Sequence, residues 1–135
     1  MHLGMRRLAA MIVCSIPVLA GGCGTDIVIT APPARHDVTA AQLQTMMADG
    51  GPLTLVDVRS AGEYAAGHIP GSINVPSGGL TAWAATQGPH TRIVCICWAG
   101  VRSRAAADQL VALGFARVYN LLGGVSNWPG PLATN

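Results

Sequence analysis

Two apolar runs constrain this chain most. Leu53-Thr54-Leu55-Val56-Asp57-Val58 and Arg92-Ile93-Val94-Cys95-Ile96-Cys97 carry hydrophobic residues at consecutive positions. A strand of that pattern must be covered on both faces, which a sheet with one wet face cannot provide. Helical signals fill the intervals. Thr39 is placed to cap a helix over Ala40 to Ala48, with Leu43 and Met47 on one face, and Asp49-Gly50-Gly51-Pro52 stops it. A short helix over Ala61 to Ala66 closes at Gly67, and Ser72 to Val75 forms a short strand ended by Pro76. Ser77 to Thr91 is the least patterned stretch, with Leu80 to Ala85 helical inside it. Ser103 to Leu113 carries a stripe at Ala106, Leu110 and Leu113, Gly114 ends it, and Val118 to Leu121 is a last strand before Gly123-Gly124. Strands alternating with helices predict an α/β domain with a mostly parallel sheet, and 135 residues leave room for one such domain.

The amino-terminal residues are of another kind. Arg6-Arg7 precede a thirteen-residue apolar stretch, Leu8 to Ala20, which is short of the roughly twenty residues that span a bilayer. Leu19-Ala20-Gly21-Gly22-Cys23 follows, and small residues before a cysteine resemble the lipobox of bacterial lipoproteins, where the leader is cleaved and the cysteine takes the lipid. That pattern prefers Leu, Val or Ile three places before the cysteine, where Ala20 stands. The alternative is an ordinary cleaved leader with Cys23 incidental. Residues 1–22 are thus expected to be a signal peptide, 23–35 a tether containing Ala31-Pro32-Pro33, and 36–135 the domain. Both alternatives place the mature protein outside the cytoplasm, in the cell envelope or periplasm, with a membrane anchor if Cys23 carries lipid. All eight basic residues are arginines, and without Arg6 and Arg7 six remain against six acids. A neutral chain with no basic run is a poor ligand for nucleic acid.

With Cys14 in the leader and Cys23 lipidated, Cys95 and Cys97 remain. Two residues apart on a strand, their α-carbons lie roughly 6.6 Å apart, a poor geometry for a disulfide. Cys97 closes its strand where parallel sheets gather functional groups. The sequence Cys97-Trp98-Ala99-Gly100-Val101-Arg102 then leads into a helix expected near Ser103. Backbone N–H groups entering a helix point inward at the positive end of its dipole, and a cysteine at their focus has its thiolate stabilised. The Cys97 pKa is therefore expected below that of a free thiol, with Arg102 and Arg104 adding charge. Cys95 is either a packed core thiol or a resolving partner for an oxidised Cys97. Asp57 and Arg59 are candidates to organise the loop backbone. Arg102 either binds an anionic donor or braces the loop through a carboxylate, and Trp98 either shapes the entrance or packs beside it. His68 is expected to be structural, Glu63 is accounted for by the helix dipole, and no His/Cys grouping has metal-ligand spacing.

At this point the chain resembles a single-domain rhodanese. The resemblance is carried by Asp57-Val58-Arg59, Glu63-Tyr64, His68 through Pro76, Cys97-x-x-Gly100-x-Arg102-Ser103, Ala105-Ala106, Leu113-Gly114-Phe115, Val118 through Leu121, Gly123-Gly124 and Trp128. It implies a rhodanese-like three-layer domain with a central, mostly parallel five-stranded sheet flanked by helices. It also implies sulfane-sulfur transfer through a Cys97 persulfide held by the loop Trp98, Ala99, Gly100, Val101, Arg102 and Ser103. The implied partners are a small donor such as thiosulfate and a thiol or cyanide acceptor, with no metal or organic cofactor. Many family members carry extra basic residues in this loop, whereas Trp98, Ala99 and Val101 supply none. Related phosphatases place five residues between cysteine and arginine; four separate Cys97 from Arg102 here, which matches the sulfur-transferring branch. A tethered binding module or thiol redox sensor without turnover is the alternative.

Overall fold

The computed structural model describes residues 32–135; the leader, Cys14, Cys23 and most of the tether lie outside the described residues. Five strands, β1 (His36–Val38), β2 (Thr54–Asp57), β3 (Ser72–Asn74), β4 (Arg92–Ile96) and β5 (Arg117–Leu121), form one sheet in the order β1-β5-β4-β2-β3. Every pairing is parallel, so the sheet is more uniform than the mostly parallel one expected. The helices are α1 (Ala40–Ala48), α2 (Ala61–Ala66), α3 (Leu80–Ala84) and α4 (Val101–Ala112), with 3-10 turns at Ser77–Gly79 and Gly124–Asn127.

Local chemistry explains the helix starts. Thr39 Oγ1 accepts from the Gln42 amide at 3.2 Å while Gln42 Oε1 accepts from the Thr39 amide at 2.8 Å, a reciprocal cap for α1. Ser60 and Glu63 do the same for α2. The apolar strands divide their side chains between two cores. Val56, Ile93, Cys95, Cys97 and Val118 pack with Leu80 and Ala84 of α3 and with Ala106, Ala107 and Leu110 of α4. Leu55, Val94, Ile96 and Leu121 pack on the other face with Leu43 of α1 and with Ile69 and Val125. This gives the three layers that the resemblance implied.

The element bounds agree with the sequence pattern to within about one residue except at four places, the first being the 3-10 turn at Ser77–Gly79, which the sequence did not mark. β1 was not foreseen, because three residues of which two are exposed show no periodicity. The turn at Gly124–Asn127 lay hidden behind the glycine pair. The fourth helix, α4, begins at Val101 rather than Ser103, since Gly100 in the left-handed region (φ 92°) turns the chain directly into it.

Strand order places the site. β2 leads outward to β3 on one side, and β4 leads to β5 on the other. The crevice beyond the carboxyl ends of β2 and β4 is therefore the switch point at which parallel sheets bind ligands. Cys97 stands there.

Candidate active site

Cys97 follows β4 directly and is 1% exposed, yet its sulfur is not left in an apolar pocket. The Gly100 amide donates to Sγ at 3.1 Å, and the Ser103 hydroxyl lies 3.3 Å away. Burial pushes the Cys97 thiol up. The Ser103 hydroxyl and the amides of Ser103, Gly100 and Ala99 outweigh it and hold the thiol below its ordinary value. Hydrogen bonds to a charged group are worth about 1.5–3 kcal/mol each, so several together can offset the several kcal/mol lost on burying an ion.

The amides point inward because the carbonyls are held outward. Val125 N–H donates to the Cys97 carbonyl and Ser126 N–H to the Trp98 carbonyl, both at 2.9 Å. The turn Gly124–Asn127 thus grips the back of the loop. It can do so only because position 124 has no side chain: a Cβ there would lie 2.1 Å from the Cys97 oxygen and 2.6 Å from that of Trp98. On the other side, a Cβ on Gly100 would come within 3.1 Å of Leu121 O and Gly123 N.

Of the remaining loop residues, Trp98 (54% exposed), Ala99, Val101 and Arg102 face solvent. Arg102 lies in the first turn of α4 and forms a two-pronged ion pair with Glu63, at 3.0 and 2.9 Å. Of its two expected roles, this is the bracing one. The Arg102 hydrogen bonds and the Ser60 amide draw the Glu63 carboxyl down to about 2, so the pair persists at any ordinary pH. Glu63, expected only to complement a dipole, instead links the cap of α2 to the first turn of α4.

Two expected supporting roles change. Asp57 and Arg59 form a buried ion pair, with Arg59 NH2 2.7 Å from Asp57 Oδ2 and 2.7 Å from the Gly67 carbonyl. They organise the backbone between β2 and α2 rather than the Cys97 loop, because Arg59 leaves β2 toward Gly67. Arg104 is exposed, one residue beyond Ser103, and its charge bears on Asp37, while the leading influences on the Cys97 sulfur are burial, Ser103 and the loop amides. Cys95 is fully buried, and burial, then the Cys97 charge, push it up to about 12. It is a neutral thiol of the core. His68, structural as expected, stacks on Tyr64 with ring centroids 3.8 Å apart. Among the described residues no group of three or more His, Cys, Asp or Glu is placed to hold a metal ion.

Three contributors were not anticipated: Gly124, the amides of Val125 and Ser126, and Asn120. The Gly123-Gly124 pair was the visible signal for the first two. Asn120, 1% exposed on β5, accepts from Ser103 Oγ at 2.6 Å, and a polar residue inside a buried strand was the signal for it.

The Rhodanese-like domain family matches residues 39–130. The chain belongs to the rhodanese-like domain family. Thiosulfate sulfurtransferase GlpE of Pseudoalteromonas translucida (strain TAC 125) is 32% identical over 94 residues, which is 70% of this chain and 88% of that protein. YrkF of Bacillus subtilis (strain 168), whose name marks it provisionally as a sulfur carrier, is 36% identical over 78 residues. That match covers 58% of this chain and 42% of YrkF, so the chain spans less than half of that relative's length. The crystal structure of a rhodanese-like domain protein from Staphylococcus aureus superposes with a TM-score of 0.67 at 26% identity, over 74% of this chain and 98% of that one.

The geometry makes two outcomes measurable. Gly124→Ala should destabilise the fold by about 2 kcal/mol or more, as overpacking against fixed backbone does, read by urea unfolding. The alkylation rate of Cys97 should have its pH midpoint below the ordinary thiol value of about 8.5. Because the folded value is depressed, reactivity persists toward neutral pH and is lost as pH falls through that midpoint.

Proposed function

We propose that the chain is a sulfurtransferase that carries sulfane sulfur on Cys97. The observation that supports it most is the buried Cys97 sulfur at the focus of inward amides and the Ser103 hydroxyl. The Cys97 thiolate attacks the outer sulfur of a donor such as thiosulfate; a new S–S bond forms, and sulfite leaves with the electron pair of the bond that breaks. The amides then offset the charge on the persulfide. A thiol acceptor, or cyanide in an assay, removes the outer sulfur and returns the thiolate. The relatives named for sulfur chemistry support this class of reaction.

The donor and acceptor are set by the loop's surface. Trp98 and Val101 stand exposed in the loop that follows Cys97, and the loop's own guanidinium, that of Arg102, is committed to Glu63. Such a rim favours a donor or acceptor with an organic group over a small dianion. A redox sensor using Cys95 as the resolving thiol is disfavoured, since a neutral, fully buried Cys95 is a poor nucleophile.

Exposure to a sulfur donor should add one sulfur atom to Cys97, detected as a mass increase of the intact protein. Cys97→Ser should abolish the gain and the transfer, while Cys95→Ser should keep at least part of both. Transfer by Cys97→Ser protein would overturn the assignment.

The proposed setting is the cell envelope, with export by residues 1–22 and a lipid anchor at Cys23. Among the described residues no helix is long and apolar enough to cross a membrane. Cys23→Ala should move the protein from the membrane to the soluble fraction of fractionated cells. Unchanged membrane association would remove Cys23 from the account.

A further inference from the structure

The Ser103 hydroxyl has one proton and two claimants. Its Oγ lies 3.3 Å from Cys97 Sγ and 2.6 Å from Asn120 Oδ1, and Ser103 is fully buried. The Asn120 amide is not free to turn and relieve the competition, because its Nδ2 donates to Asp37 Oδ1 at 2.9 Å. Asp37 is itself ion-paired with Arg35, whose Nε reaches Asp108 at 2.7 Å. An ionised carboxylate only accepts, so Asp37 compels Asn120 to offer its carbonyl, and not its amide, to Ser103.

We propose that Asp37, acting through Asn120, sets the direction of the Ser103 hydroxyl and thereby favours the sulfur-loaded form of Cys97 over the free thiolate. Asp37, Asn120 and Ser103 are positioning residues in this account. The consequence for turnover rests on the sulfurtransferase reading; the effect on the free thiol does not.

Proton counting carries the argument. With a protonated thiol, Cys97 S–H donates to Ser103 Oγ, Ser103 to Asn120 and Asn120 to Asp37, so each donor finds an acceptor. With a persulfide, Sγ is divalent and uncharged, and the Ser103 proton stays on Asn120. The thiolate breaks the order. It draws the Ser103 proton to itself and leaves two oxygens, Ser103 Oγ and Asn120 Oδ1, facing each other at 2.6 Å without a hydrogen between them. Ser103 therefore stabilises the thiolate less than an uncontested hydroxyl would. In the unloading step the sulfur of an acceptor thiol attacks the outer sulfur of Cys97–S–S⁻, and the thiol's proton passes to that outer sulfur. The new S–S bond forms as the bond to Sγ breaks, the proton stays on the transferred sulfur, and the electron pair goes to Cys97. The Ser103 hydroxyl swings from Asn120 to the emerging anion. Cargo is thus retained until an acceptor drives that swing.

Several other charges bear on Cys97. Arg102 of α4 faces it, with Glu63 of α2 bound to that arginine; Asp57 at the end of β2 bears on Arg102, and the neutral Cys95 lies on β4. Asp37 acts from β1, behind Asn120. Removing the Asp37 charge would favour the thiolate by simple electrostatics too, so the decisive comparison needs Ser103 present and absent.

The test is the pH dependence of iodoacetamide alkylation at Cys97 in the full chain, resolved by peptide mass spectrometry. Asp37 is 38% exposed at its side chain, which makes Asp37→Ala a mild change for folding. It should lower the Cys97 midpoint by about 0.5 unit or more, roughly threefold more thiolate below the midpoint. Ser103→Ala should raise the midpoint, and in that background the Asp37→Ala shift should shrink to less than half. Asn120→Leu, the second variant, should lower the midpoint, since it frees the hydroxyl for sulfur. Equal Asp37→Ala shifts with and without Ser103 would reduce the effect to through-space charge and overturn the proposal, as would a raised midpoint in Asn120→Leu. None of these readings uses a sulfur donor. A Cys97 that gains no sulfur would sink the transferase reading and leave this test standing.

Discussion

A negative charge on a sulfur that is 1% exposed can exist only if donors are aimed at it from every side that water would otherwise occupy. Much of this fold follows from that requirement. Inward amides need outward carbonyls, and outward carbonyls need partners of their own. Here the turn Gly124–Asn127 supplies them to Cys97 and Trp98. That turn follows β5, so β5 must lie beside β4, as it does. Gly124 is then a demand of the Cys97 loop's own backbone, met across the sheet from a neighbouring strand.

Arginine is spent on architecture. Arg59 closes the β2–α2 corner onto Gly67, Arg102 joins α4 to α2 through Glu63, and Arg35 fastens the start of the domain to Asp37 and Asp108. The exposed pairs contribute little stability each, typically under about 1 kcal/mol, and their effect is to fix directions. The positive potential at Cys97 therefore comes chiefly from oriented peptide dipoles, with Ser103 and the first turn of α4 at its centre. Dipoles of this kind act at short range and suit a charge localised on one sulfur.

The parts of this arrangement that were legible in the sequence are those written in periodicity and punctuation. Two-faced apolar strands, the cap at Thr39, and a cysteine ending a strand before a glycine all have local causes, and they located the fold and Cys97. What stayed hidden depends on pairs far apart in the chain. Glu63 with Arg102, Asn120 with Ser103 and Asp37 with Asn120 are joined only once the sheet order is known. The tether illustrates the same limit: Arg35, counted at its end, is held by Asp108 from α4, a partner 73 residues away.

Cys95 and Cys97 form a comparison that the molecule itself supplies. They are two residues apart, belong to the same packed face and are both fully or almost fully removed from water. Burial alone should push both thiols up, and burial, with the Cys97 charge added, takes Cys95 up to about 12. Cys97 goes the other way. The difference is one of position along a strand: Cys95 has both peptide neighbours in the ladder, pairing with Val56 and Asn120, whereas Cys97 lies just past its end. Beyond the ladder, backbone amides are no longer committed to a neighbouring strand and can be turned toward a side chain. The end of β4 is thus the first point on that strand where a buried sulfur can be both shielded from water and charged, and that coincidence is what reactivity at this site requires.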